Sequence, residues 1–378
     1  MIMKILRLQL ENFRNYSTYE WIFEDDNTLT VLEGPNGRGK TNLIEAVYTL
    51  SLGKSFRTSA PDDQIKWGED YLRVKGEISA DNEKMDLEVF YSRTPRRIKN
   101  FKKNQVDLKN SEYFGNLLTV LFHPEDLNML YLSPSLRRKY MNILLSQTNK
   151  KYLSAFSSYK KVLKQRNVLL YEIREAKFKG KDSKLLMDDL EVWNKQLISF
   201  GSEIMFYRNK LVEFLNDNLE KIYRDISGKD ERVEVEYSTK VIKGDGGRQI
   251  ETIEQNFADE LFNRLARDIR QAKTTAGPHR DDILFYIDGK DINRASSRGE
   301  FRTLLLAIKF AEIEFIKEKT GYAPILLLDD VFSELDPTRQ IHLIKAIKSC
   351  QTIISTTDLS NLSNTFTEAQ NITLVKIK

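Results

Sequence analysis

The sequence predicts an α/β fold with mixed β-sheets and a long helical insertion, and three observations predict it. A glycine-rich loop at 34–41 follows an apolar strand and precedes a helical pattern. Far downstream, Ile325-Leu326-Leu327-Leu328 forms a second apolar strand, which ends in Asp329 and Asp330. Between them, from about residue 134 to 226, strand signals vanish and heptad-spaced apolar residues take over.

Taken in order, Leu6-Arg7-Leu8-Gln9-Leu10 alternates as a strand does, and Leu29 to Leu32 runs straight into the glycine loop. Leu43, Ala46, Val47 and Leu50 then recur at helical spacing. Strands are expected at 71–79, 85–91 and 117–122, with a hairpin at 96–107. In the insertion, Leu190, Leu197, Ile204 and Leu211 recur every seven residues, with Trp193, Phe200, Tyr207 and Phe214 three positions later. That is an a/d register. Phe156, Tyr159, Leu163, Leu170 and Ile173 keep a similar rhythm, interrupted by Arg166, and Lys177 to Ser183 offers a turn at Gly180. The pattern predicts two long helices folded back on each other, the paired part spanning about 40–45 Å at 1.5 Å per residue. The bland alternative is an ordinary helical subdomain packed on the core. After Gly228 the pattern predicts a strand at Val233 to Tyr237, a helix over 251–272 and a hairpin over 282–292. Helix 300–319, the strand at 325–328, helix 338–349 and a strand from Thr352 to Ser355 complete it. The expected domains are therefore a split head, 1–133 with 228–378, and a helical arm, 134–227.

Composition limits the function classes. Of 378 residues, 40% are hydrophobic and 30% charged, which fits a globular chain. The 59 Lys and Arg exceed the 55 acidic residues by only four, so a basic patch is permitted and not demanded. A single cysteine, Cys350, excludes an intrachain disulfide, and three histidines (His123, His279, His342) give little material for a metal cluster. Lys4, Arg7 and Glu11 interrupt the first apolar stretch, so it does not read as a signal peptide, and no apolar run is long enough to span a bilayer. The expected compartment is the cytoplasm, with no membrane partner.

Gly34-Pro35-Asn36-Gly37-Arg38-Gly39-Lys40-Thr41 fits the P-loop pattern in its strand–loop–helix setting. Such glycines let backbone N–H groups face the phosphates of ATP, Lys40 reaches the β- and γ-phosphates, and the Thr41 hydroxyl ligates Mg²⁺. The apolar strand before Asp329 reads as its Walker B partner. Asp329 is expected to hold Mg²⁺ and Asp330 to polarise the attacking water.

The wide separation of these motifs around a helical insertion resembles ATP-binding-cassette heads related to the SMC proteins. Ser333-Glu334-Leu335-Asp336 resembles their D-loop, with Ser333 and Asp336 as its key positions. Ser296-Ser297-Arg298-Gly299-Glu300 resembles the signature motif, so Ser297, Arg298 and Gly299 are expected to touch the nucleotide of a second subunit. Thr357 lies where those proteins carry a switch histidine. His123 and Glu125 end a strand near the place of their Q-loop glutamine. Both departures leave those roles open. Arg14, Asn15 and Tyr16 match the segment that lines the adenine and ribose pocket, or else form a surface turn.

The strings Leu10-Glu11-Asn12-Phe13-Arg14-Asn15-Tyr16, Gly53-Lys54-Ser55-Phe56-Arg57, Phe122-His123-Pro124-Glu125-Asp126-Leu127, Gly277-Pro278-His279-Arg280-Asp281-Asp282 and Leu328 to Asp336 carry a more specific match. Through them the chain resembles the RecF family of bacterial recombination-repair proteins along nearly its whole length. The resemblance implies an ABC-type ATPase head and a weak DNA-dependent ATPase that forms an ATP-driven homodimer. It also implies binding to single- and double-stranded DNA at gaps, and action with RecO and RecR to load RecA.

Arg93, Arg96, Arg97, Lys99, Lys102 and Lys103 form the densest positive stretch, read as a phosphate-backbone contact or as a solubilising edge. Arg57 is a further candidate for phosphate or DNA, or part of a solvated loop. Arg137, Arg138 and Lys139 make a second patch. For Gly277 to Asp282 a salt-bridged corner and an active-site role stand side by side. A protein-binding regulator without DNA contact is the runner-up function, and a metabolic kinase the third.

Overall fold

The computed structural model describes residues 1–24, 28–81, 83–242, 247, 249–295, 297–332, 336–357 and 372–377. The chain divides into two compact units: Met1–Leu127 with Lys221–Lys229 and Ser296–Lys378, and Asn128–Glu220 with Asp230–Ala295.

In the first unit, β1 (Lys4–Phe13) and β2 (Tyr16–Ile22) precede β3 (Leu29–Glu33) and α1 (Lys40–Leu52). Then come β4 (Tyr71–Ala80), β5 (Glu83–Ser92), β6 (Ile98–Lys103), β7 (Val106–Leu108), the single turn α2 (Asn110–Tyr113) and β8 (Thr119–Phe122), while α3 (Leu127–Tyr131) belongs to the second unit after its first residue. The second unit holds α4 (Pro134–Thr148), α5 (Lys150–Phe178), most of α6 (Lys184–Ser227), β9 (Val233–Ser238) and α7 (Ile250–Gln271). It continues through β10 (Asp282–Ile287), β11 (Lys290–Asp291) and α8 (Ile292–Ala295). The chain then returns to the first unit with α9 (Arg298–Thr320), β12 (Ile325–Asp329), α10 (Pro337–Ile347), β13 (Thr352–Thr356) and β14 (Ile372–Lys376).

Two sheets build the first unit. One is six-stranded and antiparallel, in the order β2-β1-β4-β5-β6-β7; the other is five-stranded and parallel, in the order β14-β3-β13-β12-β8. Helix α1 touches β1, β4 and β5 of the first sheet and β8, β12 and β13 of the second. It is therefore buried nearly all round, as a helix between two sheets must be. The parallel register pairs Asp329 with Ser355 and Thr356 with Glu33. The carboxyl ends of β3, β12 and β13 thus lie on one edge, where open parallel sheets place ligands.

The two long helices expected in the insertion are α5 and α6, separated by residues 179–183, but further helices join them. Asn149 leaves the helical region (φ −144°), and its side chain accepts the Tyr152 N–H, so α4 and α5 are separate helices. The a-stripe Leu190, Leu197, Ile204 and Leu211 is buried, while Trp193, Phe200, Tyr207 and Phe214 are only half-buried. Helix α7 supplies the reason. Its Ile269 shares one core with Leu170 and Ile173 of α5 and Leu190 of α6, and Leu265 packs against that core. Arg166, the apparent interruption, is fully buried and pairs with Asp268 of α7 at 2.8 Å. Residues 230–295, expected in the head, therefore group with the helices instead. Among the described residues no helix is long and apolar enough to cross a membrane.

Candidate nucleotide site

The glycine loop rises from β3 and turns into α1 through Gly37 (φ 80°) and Gly39 (φ 108°), both left-handed. Gly39 also has no room for a side chain: a Cβ there would lie 2.7 Å from the Tyr16 hydroxyl and 2.8 Å from Asn15 Nδ2. Lys40 is buried and donates to the carbonyls of Gly34 (2.5 Å) and Pro35 (3.0 Å). Burial lowers its pKa, opposed by the carboxylates of Asp330 and Asp329.

The two motifs meet although 288 residues separate them. Thr41 Oγ1 donates to Asp329 Oδ1 at 2.9 Å, and Ser355 Oγ donates to the same oxygen at 2.7 Å. Asp330 follows in a left-handed conformation (φ 53°), its N–H bonded to Ser355 Oγ at 3.0 Å. His123 turns Nε2 toward the other Asp329 oxygen at 3.6 Å. Glu125 is exposed and uses its backbone N–H to bond His123 Nδ1. Thr357 follows β13 at the same sheet edge.

Beside the loop, Asn15 Nδ2 donates to Arg38 O, and Tyr16 OH to Gly39 O, both at 3.3 Å. Burial drives the Tyr16 phenol well above its ordinary pKa. Arg14 forks onto Glu45 at 2.9 and 2.6 Å, Ser55 Oγ donates to Glu45 at 2.5 Å, and Arg57 reaches it at 3.4 Å. Glu45 is fully buried. A single carboxylate on α1 thus orients Arg14 and Arg57.

Helix α9 starts in a capping box: Ser297 Oγ accepts the Glu300 N–H, and Glu300 accepts the Ser297 N–H. Arg298 is its first residue, and the Gly299 carbonyl accepts from Arg339 Nη2 at 3.1 Å. Asp336 pairs with Arg339, while Ser333 lies outside the described residues.

The basic hairpin is largely engaged close to home. Arg97 pairs with Asp62 at 2.7 Å and Arg93 with Asp70 at 3.5 Å. Lys99 donates to Gly53 O and Lys103 to Asn116. Arg96 and Lys102 form no ion pair among the described residues. In the second unit, Arg137 is buried and forks onto Asp282 at 2.8 and 2.7 Å, so it is no surface cation. His279 is held at both ring nitrogens, by the Tyr159 hydroxyl (2.7 Å) and Thr274 O (3.1 Å). Gly277 to Asp282 is accordingly a bonded corner.

Sequence reading missed Glu45, Ser355, Lys309 and Arg339. Glu45 and Ser355 sit in segments read correctly as helix and strand, but their partners lie far away in the chain. Local spacing carries no trace of such contacts.

Comparison with known proteins adds an independent line. Residues 4–377 match the family described as RecF/RecN/SMC N-terminal domain. A DNA replication and repair protein RecF of Oenococcus oeni is 39% identical, over 98% of this chain and 97% of its own length. One of Bacillus mycoides is 37% identical over 98% and 96%. A solved structure of the recombination mediator protein RecF-ATP in the RecFOR pathway superposes with a TM-score of 0.86 at 34% identity, covering 94% of this chain and 92% of that one. An Smc head domain from Pyrococcus furiosus shares the fold at a TM-score of 0.51 and 16% identity, over 96% and 92%. With a parallel-sheet P-loop head, an inserted helical region and relatives matched over nearly their full length, the chain belongs to the RecF family of ABC-type, SMC-like ATPases.

Proposed function

We propose that this chain is an ATP-dependent DNA-binding protein of replication and recombinational repair, with slow ATP hydrolysis as its timer. The observation that carries the reading is the Thr41–Asp329 contact, which joins the glycine loop to the acidic strand end. The loop fits a phosphate: Gly37 and Gly39 free the backbone, and Lys40 donates to two carbonyl oxygens that a phosphate can replace. Backbone groups from Gly34 to Gly39 would cradle the phosphates, with Arg14 and Asn15 beside the ribose and base. Thr41 and Asp329 are the residues to hold Mg²⁺, whose chemistry there is neutralising the β- and γ-phosphate oxygens. Among the described residues no cluster of three His, Cys, Asp or Glu offers a separate metal site.

Asp330 is the proposed base. Its carboxylate is one methylene shorter than a glutamate's, so it falls about 1.5 Å short of a glutamate's reach. Hydrolysis would then wait for dimer closure to bring the water within hydrogen-bond distance. In the dimer, Ser297, Arg298 and Gly299 would complete the partner's site, with Ser333 and Asp336 as the D-loop and Thr357 as a switch. The Ser297 cap bond at 3.3 Å is long for a hydroxyl acceptor, which leaves that oxygen available to a γ-phosphate.

DNA would be bound as gapped duplex with single- and double-stranded arms, in work with RecR and RecO that supplies RecA. Within the basic hairpin the local pairings favour Arg96 and Lys102 over Arg93, Arg97 and Lys103 for phosphate contact, and the Glu45 tie makes Arg57 a nucleotide-side cation. Sedimentation with ATP, with ADP and with a gapped duplex tests the whole reading. ATP should yield a dimer that retains the duplex, and Ser297→Arg should stay monomeric while still binding ATP. A Ser297→Arg protein that dimerises normally would remove the shared-site assignment.

A further inference from the structure

Helix α9 buries two charged side chains for which the nucleotide site has no direct use. Lys309 is 7% exposed and Glu312 4%. Lys309 Nζ lies 3.3 Å from Asp126 Oδ2 and 3.4 Å from Glu312 Oε2. Burial works to lower the Lys309 pKa, but the Asp126 and Glu312 carboxylates outweigh it and the net shift is upward. Burial pushes the Glu312 carboxyl up, countered in part by Lys309. Such a group is costly, because desolvating charges offsets much of their attraction, and apolar residues of like volume often stabilise as well or better.

The trio touches the active edge through one atom. Asp126 Oδ2, the oxygen nearest Lys309, also accepts the backbone N–H of His123 at 3.1 Å. His123 Nδ1 accepts the Glu125 N–H at 3.2 Å, so the neutral ring carries its proton on Nε2. That nitrogen faces Asp329 Oδ2 at 3.6 Å, and the edge of Phe56 flanks the ring at a centroid distance of 5.1 Å. A donor in this place can steer the Asp329 carboxylate or an oxygen bound near it.

Nearer its start, α9 is fixed to the first turn of α10. Arg339 bonds Gly299 O and, at 2.7 Å, Thr303 Oγ1, and it also holds Asp336. Ser297 and Lys309 lie about 18 Å apart along the helix at 1.5 Å per residue. A push on the first is therefore carried along a rigid rod to the second.

We propose that Lys309 is a positioning residue: through Asp126 it sets His123 against Asp329, and so ties the Ser297–Gly299 end of α9 to the nucleotide site of the same chain. This rests on the reading of that site as hydrolytic.

The test uses the full chain. Lys309→Met alone leaves the Glu312 carboxyl buried without its partner and can unfold the protein, so Lys309→Met/Glu312→Leu is made beside it, with Lys309→Arg as the conservative control. ATP hydrolysis is followed with gapped duplex, and the imidazole nitrogens of the three histidines by NMR, with His123→Gln to assign the signal. The double variant should keep KM within about twofold, lose about tenfold in kcat, and shift the His123 nitrogen signals while those of His279 stay in place. Lys309→Arg should recover kcat to within about threefold of the parent. An unmoved His123 signal with parental kcat overturns the proposal. A parent that hydrolyses no ATP, but whose His123 signal still responds to the double variant, refutes the hydrolytic reading and upholds the coupling.

Discussion

Two buried clusters of charge, one in each unit, are held in opposite ways. In the second unit Arg166 donates to Asp268, Thr274 and Asn194, and Arg208 to Pro278 O, Asn142 and Tyr152. Asp268 in turn accepts from Thr275, and Asp281 from Tyr237. Side chains are fixed mostly to side chains there, and among the described, buried side-chain atoms of this cluster only Arg166 Nη2 lacks a partner. At the parallel-sheet edge, Lys40 leans on two carbonyls of a glycine loop, and Asp329 is shared between two hydroxyls. The first arrangement fixes a fold, since exchanging any member strands another. The second can trade its partners for a ligand at small cost.

Breaking the locked cluster should give the largest effect. Arg166→Met leaves Asp268 buried without its cation and should cost about 3–5 kcal/mol of stability, read by denaturant unfolding, with ATP affinity unchanged in the folded fraction. Arg166→Met/Asp268→Leu should recover most of that loss. Equal losses in both variants would mean that packing, not charge, holds the cluster.

Acid probes the same region. Burial pushes the His279 pKa down to about 4, against 6.5 for the free side chain. The unfolded chain therefore binds the extra proton first, and stability present above pH 6.5 is lost as pH falls toward 4. The loss should approach roughly 3 kcal/mol at the acid end, since each tenfold difference in proton affinity between the folded and unfolded chain is worth about 1.4 kcal/mol. His279→Gln should flatten that part of the profile. An unaltered slope would assign it to other groups.

The exchangeable cluster should respond in function and not in stability. Lys40→Ala should weaken ATP binding by about 100-fold, near 2.7 kcal/mol, while the thermal midpoint stays close to the parent's. Asp330→Asn should keep binding and prolong the ATP dimer after a nucleotide pulse. Parental turnover in that variant would pass the role of base to His123 or Glu125.

The smallest effect is expected at the hairpin. Arg96→Glu with Arg97→Glu should lower DNA affinity and flatten its salt dependence by the loss of about two counterions. Because Arg97 already pairs with Asp62, a change of only one would single out Arg96.

The two clusters were also unequally legible in the sequence. The sheet edge announces itself, since Gly34 to Thr41 and Ile325 to Asp330 are local patterns whose spacing follows from phosphate chemistry. The locked cluster does not. Arg166 looked like an error in a heptad because its partner, Asp268, sits on a helix 102 residues away. The same blindness left the boundary between α4 and α5 unread, since Asn149 breaks the chain with a side-chain cap and neither Gly nor Pro marks the place. The strands β2 and β14 went unread for another reason. Each lies at a sheet edge with one face open, so its apolar alternation is weak.

The parallel order β14-β3-β13 carries a consequence for how the protein is made. Strand β3, which launches the glycine loop, finds both its neighbours far downstream in the chain, and a side chain on Gly34 would collide with Ile377 O. At 5–20 residues per second, roughly 20–70 s pass between the synthesis of β3 and that of β14. For most of that time a nascent chain owns the glycine loop with neither β13 nor Asp329 beside it. A chain cut short anywhere before β12 keeps that loop without the carboxylate that Thr41 bonds.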